Sequence, residues 1–542
     1  MAELNSIRED HMGVRATDVT AAGGMVTCGN YLAARVGRDI LVAGGNAVDA
    51  AVATALALCV VKPSSNGIAG YGGAMVIYLA DIGRVVAIDY NTRAPKATTE
   101  DMYEPVAPPL KQSNTGGFAG VEGLKNMFGP LAVSVPATIA GLSLAAKRYG
   151  RLGWSELVRP AIRLAADGFP AWPGLREDIR SLIDNTDAES AAAFLQGGGV
   201  PEEGETWRLP DVARLLETLA DDSDAFYHGE PARVIVERVR SMGGILTEED
   251  MADYRVDVSE PLELDYRGHR VYAAPGISGS PTALEALAAM QFLNTRPYEA
   301  DDPSYWGDLA GTLVLSWHDR LAFLGDVPGF GKLVEHLKSH RYAELIAARV
   351  RADNFTPIPS EFDPTTCTVH VNACDSDRNL VAMTQTHGGG YGSRVVVPGL
   401  GIALGHGMSR FNPEAGHPNS PGPWKQPLHN MSPMIITKDG KPVAAIGLPG
   451  GRTIPSLMPQ FAAAIADFGM TAAQQLNLPR IHTQGGAIQH TADLPEYARK
   501  AISQRGHELV EKEAIGGVAS TILIREDTVY GASQGENGAL GI

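Results

Sequence analysis

Hydrophobic and polar positions along the chain fall into three regimes. In the first, Gly44-Gly45-Asn46 precedes an apolar run from Ala47 to Val61. A turn followed by an asparagine able to accept a backbone N–H predicts a capped, buried helix there. The glycine-rich stretch Asn66 to Gly73 then leads into two apolar runs, 74–79 and 85–90, joined at Asp81-Ile82-Gly83. That pattern predicts a hairpin in a central antiparallel sheet. The second regime runs from about Val135 to Val350 and is mostly helical in pattern. Apolar residues recur at three- and four-residue spacing over 137–149, 154–167, 210–220, 231–242 and 303–323, which predicts helices packed over the sheet.

The third regime begins at a break. Residues 352–364 carry Pro357, Pro359 and Pro364 among polar and acidic residues and resist both helix and sheet. Strand-like runs follow at 367–371, 380–386, 395–397, 434–436 and 443–446, then a helix over 454–468 and two last strands at 518–524 and 528–532. Strands at both ends with helices between them predict one layered α/β body assembled from distant parts of the sequence. A proline-rich joint directly before a strand is unusual for a linker between independent domains.

Composition narrows the partners. The 542 residues are 44% hydrophobic and 20% charged, with 62 acidic against 45 basic side chains and a formal charge of −17. Such a field repels a phosphate backbone and an anionic membrane surface, so neither nucleic acid nor membrane is expected as a partner. A small anionic substrate stays open, because a few arginines can dominate a cleft. Four cysteines (Cys28, Cys59, Cys367, Cys374) are too scattered for a disulfide framework. Cys59 reads as a small buried hydrophobe, and the Cys367/Cys374 spacing fits no zinc pattern. Residues 1–13 lack the apolar core of a signal peptide, and 47–61 is too short to span a bilayer. The expected location is cytoplasmic.

The candidate chemistry sits after the break, at Thr365-Thr366. A threonine hydroxyl is a poor nucleophile without a base nearby. A chain-terminal threonine carries its own base, an α-amine with pKa about 7.7–8. Cleavage of the chain between Pro364 and Thr365 creates that terminus. On its own, Thr-Thr also suits a strand simply because threonine is β-branched. The surroundings add weight: Thr384-x-Thr386 offers a second hydroxyl one strand downstream. Gly447-Leu448-Pro449-Gly450-Gly451 follows another strand, where a Gly-Gly turn can aim N–H groups at an oxyanion or serve as a plain tight turn.

Over nearly its whole length the chain resembles the gamma-glutamyltransferase family of N-terminal-nucleophile hydrolases. The matching segments are 44–53 (GGNAVDAAVA), 135–142 (VPATIAGL), 160–165 (PAIRLA), 250–254 (DMADY), 266–268 (YRG), 431–433 (MSP) and 449–451 (PGG). The resemblance implies a four-layer αββα sandwich and autocleavage into a large subunit, 1–364, and a small one, 365–542. These fragments would form a heterodimer, alone or as a dimer of such pairs, with no metal or organic cofactor. It also implies roles: Thr365 as nucleophile, Thr386 as the threonine hydrogen-bonded to it, and Gly450 and Gly451 as the oxyanion pair.

The glutamyl-binding positions depart from the family. Its arginine for the glutamyl α-carboxylate falls at Asn91, with Arg93 two residues on. Its acidic partner of the α-ammonium falls at Arg410, and the serine pair before Met-Ser-Pro falls at His429-Asn430. The asparagine after the second threonine falls at Gly388, and a turn glycine at Arg394. Arginine at the ammonium site reverses its charge. The expected substrate is therefore a small amide whose acyl part lacks the ammonium and carries one or two carboxylates. Arg93, Arg394, Arg410 or Arg452 would read them through paired N–H groups, although each also suits a surface or interface ion pair. His387, His406, His417 and His429 lack compact metal-ligand spacing, and His429 is expected to line the pocket. The leading expectation is a self-processing amidohydrolase or acyltransferase. Its rivals are a true gamma-glutamyl transferase with a rearranged clamp, using Arg93, and an unprocessed, non-catalytic binding protein, favoured by the restricted geometry of Pro364.

Overall fold

Apolar residues on both faces of the central strands demand that each sheet be covered twice. The computed structural model describes residues 15–106, 118–299, 301–355, 367–535 and 537–542. In chain order, the strands of its two large sheets begin with β1 (Val19–Ala21), β2 (Met25–Cys28), β3 (Gly72–Leu79) and β4 (Arg84–Tyr90). The middle region supplies β5 (Asp257–Ser259), β6 (Leu262–Tyr266) and β7 (His269–Ala273). Then come β8 (Cys367–Cys374), β9 (Leu380–Gly388), β10 (Met434–Lys438), β11 (Lys441–Gly447), β12 (Ser520–Arg525), β13 (Thr528–Ser533) and β14 (Ala539–Gly541).

One seven-stranded sheet has the order β14-β2-β8-β9-β3-β4-β5, the other β1-β13-β12-β11-β10-β7-β6. Every neighbouring pair in both is antiparallel. The middle region is thus less helical than its spacing predicts. β6 and β7 alternate exposure along short stretches joined at Arg267-Gly268, too brief for a window of helical length to detect. The run at 395–397 pairs only as Val396–Val397 with Ile402–Ala403, in a separate two-stranded ribbon.

Side-chain alternation assigns the layers. Ala74, Val76, Tyr78, Leu380 and Ala382 of one sheet meet Ile435, Ala445, Ile522 and Val529 of the other. The intervening residues Met75, Ile77, Val381 and Met383 turn outward against α1 (Tyr31–Val42) and α2 (Ala47–Val61). Beyond the second sheet, Val271, Met434, Ile436, Ala444 and Ile446 pack on α3 (Ser280–Leu293), α4 (Pro303–Phe323) and α5 (Thr453–Ala466). All fifteen residues of α2 are buried, so its start cannot rely on water. Asn46 takes the Asp49 N–H at 3.0 Å, and the Asp49 carboxylate takes the Asn46 N–H at 2.9 Å, a reciprocal cap. Among the described residues no helix is long and apolar enough to cross a membrane.

Candidate active site

Toward the end of β9 and the start of β8 the space between the sheets changes from apolar to polar. Val369, Val371 and Ala373 face the helices, so Thr368, His370 and Asn372 face the opposite sheet, with Thr384 and Thr386 on the adjacent strand. All five are buried, and each finds a partner. Asn372 donates to the Thr27 hydroxyl and to Ser520, leaving its carbonyl oxygen 2.9 Å from His370 Nε2. His370 therefore carries its proton on Nε2, and its Nδ1 accepts from the Thr384 hydroxyl at 2.8 Å. Burial pushes the His370 pKa down to about 4, so this chain is neutral.

Thr386 Oγ1 accepts from the Thr368 hydroxyl at 3.0 Å and from the Gly388 N–H at 2.8 Å. With both acceptor positions filled, its own hydrogen is the group left to donate. The pairing of β8 with β9 is irregular between Cys367 and Val369, a bulge that re-aims the strand where the site begins. Pro364, Thr365 and Thr366 lie outside the described residues.

Opposite this ladder, β11 ends at Gly447, whose lack of a side chain makes room for His370; a Cβ would sit 2.1 Å from its ring. The chain then turns through Gly450 and Gly451, at φ +146° and +52°. A Cβ on Gly450 would meet Thr453 Oγ1 at 2.5 Å and Gly516 Cα at 2.9 Å. The Gly450 carbonyl is fully engaged by the Thr453 N–H and hydroxyl. Neither Gly450 nor Gly451 donates its N–H to a backbone acceptor among the described residues. Two such donors at the N-terminus of α5, where the helix dipole adds positive potential, can stabilise a developing oxyanion.

Positive charge collects beside them. Arg410 is buried and donates from Nη2 to the Gly388 carbonyl at 2.6 Å, two residues from Thr386. Its Nε and Nη1 make no hydrogen bond of ordinary geometry among the described residues, and the buried Tyr71 hydroxyl lies against the guanidinium, whose charge offsets part of the rise that burial gives the Tyr71 pKa. Gly388 sits at φ +104°, and a Cβ there would lie 2.2 Å from the His406 ring, so no larger side chain fits this position. Arg452, also buried, reaches Gln484 at 3.3 Å. Burial, then Arg410 and Arg320, hold its pKa well below the usual arginine value. Arg320 comes from α4 and donates to the carbonyls of Ser278 (3.0 Å) and His429 (2.9 Å) and to Asn430 Oδ1 (2.7 Å). Burial lowers its pKa to about 9.

The remaining expected pocket residues divide. His429 and Asn430 join the cluster through Arg320. Asn91 is buried nearer β4, its side-chain Nδ2 donating to the Pro427 carbonyl at 2.9 Å and its side-chain Oδ1 lacking a partner among the described residues. Arg93 pairs with Asp257 at 3.2 Å and with the Trp424 carbonyl. Arg394 is half-buried and stacks on the Phe128 ring at 3.9 Å. His387 and His406 are buried, and among the described residues no group of three His, Cys, Asp or Glu is placed to hold a metal ion. Sequence reasoning passed over Thr368, His370 and Arg320. The first two carried a signal, polar residues at alternate positions of an otherwise buried strand. Arg320 carried one too, a charge inside the apolar helix pattern at 303–323.

A family model described as Gamma-glutamyltranspeptidase matches residues 33–539. The glutathione hydrolase proenzyme of Escherichia coli (strain K12) is 32% identical over 95% of this chain and 90% of that protein. The acylase ACY 1 proenzyme of Pseudomonas sp. (strain SE83) is 33% identical over 94% of this chain and 91% of its own length. The crystal structure of a cephalosporin acylase from Bacillus halodurans superposes with a TM-score of 0.85 at 30% identity, covering 97% of each chain. The mixed α/β fold is thus that of the N-terminal-nucleophile hydrolases.

Proposed function

Because the chain belongs to the gamma-glutamyltranspeptidase family of enzymes, we propose that it cuts itself between Pro364 and Thr365 and hydrolyses a small amide through an acyl-Thr365 ester. The Thr365 hydroxyl attacks the substrate carbonyl while the α-amine released by self-cleavage takes its proton. Gly450 and Gly451 N–H groups hold the oxyanion, and the Thr386 hydroxyl, with both acceptor sides filled, donates to the nucleophile. The proton then passes to the leaving nitrogen, and water, or an acceptor amine, releases the acyl group. No metal or organic cofactor enters this cycle. The products of self-cleavage are 1–364 and 365–542, within one αββα body.

The observation that carries the substrate reading is Arg410. Its buried guanidinium is held by Gly388, beside Thr386, with the Tyr71 hydroxyl against it and with Nε and Nη1 in no hydrogen bond of ordinary geometry among the described residues. An ammonium at that point would meet a like charge in a desolvated setting, whereas a carboxylate would satisfy both donors. The proposed acyl donor therefore carries a carboxylate and lacks the glutamyl ammonium. Relatives named acylases support a non-glutamyl acyl group. The relative named a glutathione hydrolase supports the second reading, a gamma-glutamyl transferase with a rearranged clamp.

Two measurements separate these readings. A denaturing gel with N-terminal sequencing is expected to give two fragments, the smaller starting at Thr365; a single inactive band would instead favour an unprocessed binding protein. Glutaryl, oxamate-type and gamma-glutamyl anilides are then compared by kcat/KM. Faster turnover of the gamma-glutamyl anilide than of the other two would sink the carboxylate-only reading.

A further inference from the structure

We propose that Thr453 and Gly517 are positioning residues of the oxyanion site. Each grips the carbonyl end of one peptide unit whose other end is a donor N–H, that of Gly451 for Thr453 and that of Gly450 for Gly517. The inference rests on the reading that these two N–H groups hold the developing oxyanion.

A peptide unit is planar and trans, so its C=O and its N–H point in opposite directions. Whatever holds the carbonyl therefore aims the N–H. The Gly450 N–H shares its unit with the Pro449 carbonyl, which accepts from the Gly517 N–H at 2.9 Å. The Gly451 N–H shares its unit with the Gly450 carbonyl. That oxygen accepts from the Thr453 hydroxyl at 2.8 Å and from the Thr453 N–H at 3.1 Å. Glycine turns freely about its backbone bonds, and at φ +146° and +52° neither Gly450 nor Gly451 has a side chain to restrain these units. Their direction is set from outside the turn.

Both grips depend on close fit. Thr453 is buried at the first residue of α5, and its Oγ1 occupies space that a Cβ on Gly450 would enter, at 2.5 Å. Gly517 comes from the loop before β12. A Cβ on it would lie 2.8 Å from Pro449 Cγ and 3.1 Å from the Pro449 carbonyl oxygen. One on Gly516 would meet Leu457 at 2.7 Å and Leu448 at 2.9 Å. The buried Arg480 fastens this loop by donating to the Ile515 carbonyl at 2.8 Å. A donor held in place before charge develops needs no reorganisation at the moment of reaction. The Thr453 hydroxyl thus acts in the transition state through Gly451, without touching substrate.

The test uses whichever of the glutaryl and gamma-glutamyl anilides the wild type hydrolyses faster. Thr453→Val keeps the shape and the backbone N–H but removes the hydroxyl. Its kcat is expected to fall about two- to tenfold, the worth of one hydrogen bond, with KM unchanged. Thr453→Ser, which keeps the hydroxyl, is expected to restore kcat. The matching thioanilide reports on the oxyanion itself, because sulfur accepts hydrogen bonds weakly. A mis-aimed donor costs the anilide more than the thioanilide, so the ratio of their kcat values is expected to shrink in Thr453→Val. A merely structural loss lowers both alike. Gly517→Ala, which pushes on Pro449, is expected to act in the same way through Gly450. Urea midpoints report folding of each variant. If Thr453→Val does not fold, Gly517→Ala decides by the same kcat, KM and ratio.

Full kcat in Thr453→Val, equal losses in Thr453→Val and Thr453→Ser, a raised KM with kcat retained, or an unchanged anilide-to-thioanilide ratio overturns the assignment. If the wild type hydrolyses neither anilide, the functional reading has failed separately. A crystal structure of Thr453→Val then decides. A Gly450–Gly451 peptide turned from its wild-type direction supports the grip, and an unmoved one overturns it.

Discussion

Thr386 and Gly450 make opposite demands on their side chains. Thr386 must present an oxygen to two donors, Thr368 and Gly388. Thr386→Val keeps the shape and strands both, at about 1 to 3 kcal/mol. The expected kcat loss is about ten- to a hundredfold, read as release of nitroaniline from a glutaryl anilide. Gly450 must present nothing. Alanine there meets Thr453 and Gly516 and a strained φ, and a displaced donor at an oxyanion site costs about a hundred- to a thousandfold in kcat. Retained turnover in Gly450→Ala would remove this turn from the mechanism. Arg410→Asp reverses the charge beside Gly388, so the preference is expected to move from glutaryl toward gamma-glutamyl anilide by about tenfold or more. Thr386 and Gly450 stand out as candidates in the sequence because each belongs to a local motif, whereas Arg410 is one of four candidate arginines there. Arg320 does not stand out, since its role depends on carbonyls of Ser278 and His429 that only the packed helix reaches.

At the level of elements, the most predictable feature is α2, where a polar cap stands before an unbroken apolar run. Asn46→Ala removes the acceptor for the Asp49 N–H, and is expected to cost about 1 kcal/mol, seen as a lower urea midpoint with unchanged slope. The end of β4 is less obvious. Burial, and Asp257 beside it, push the Asp89 carboxyl up to about 7, against the opposing pull of the Asn91 N–H and Arg93. Between its unfolded value of 3.8 and about 7, the folded chain holds a proton that the unfolded chain has released. Stability from this group therefore falls as pH rises through that window. Asp89→Asn keeps an acceptor for the Asn91 N–H and cannot ionise. Its stability relative to the wild type is expected to grow from pH 5 to pH 8, and a constant difference would show that Asp89 does not titrate there. β6 and β7 escaped the sequence reading because five-residue strands with one half-exposed face resemble the loops between helices.

On the scale of the whole molecule, strand order has a consequence for the two proposed fragments. β8 and β9 lie between β2 and β3 in one sheet, and β10 lies beside β7 in the other. Both sheets thus interleave strands from either side of Thr365. Cleavage leaves every one of these ladders intact, so the fragments are expected to migrate as one species in native size-exclusion chromatography and to part only in denaturant. Separation without denaturant would contradict the interleaved sheets.

The sequence by itself determined the covered helices, most strands, the layered α/β class and the positions of Thr386, Gly450 and Gly451, because these depend on periodicity and on motifs within a few residues. Tertiary structure decided which arginines share a pocket. Arg93 and Arg394 stand in polar sequence much as Arg410 does, yet one lies against Asp257 and the other against Phe128. Arg410 and Arg320, from separate segments, both act on His429 and on Arg452. Burial and charge act through space, and spacing along the chain carries no record of either until the sheets and helices have closed over them.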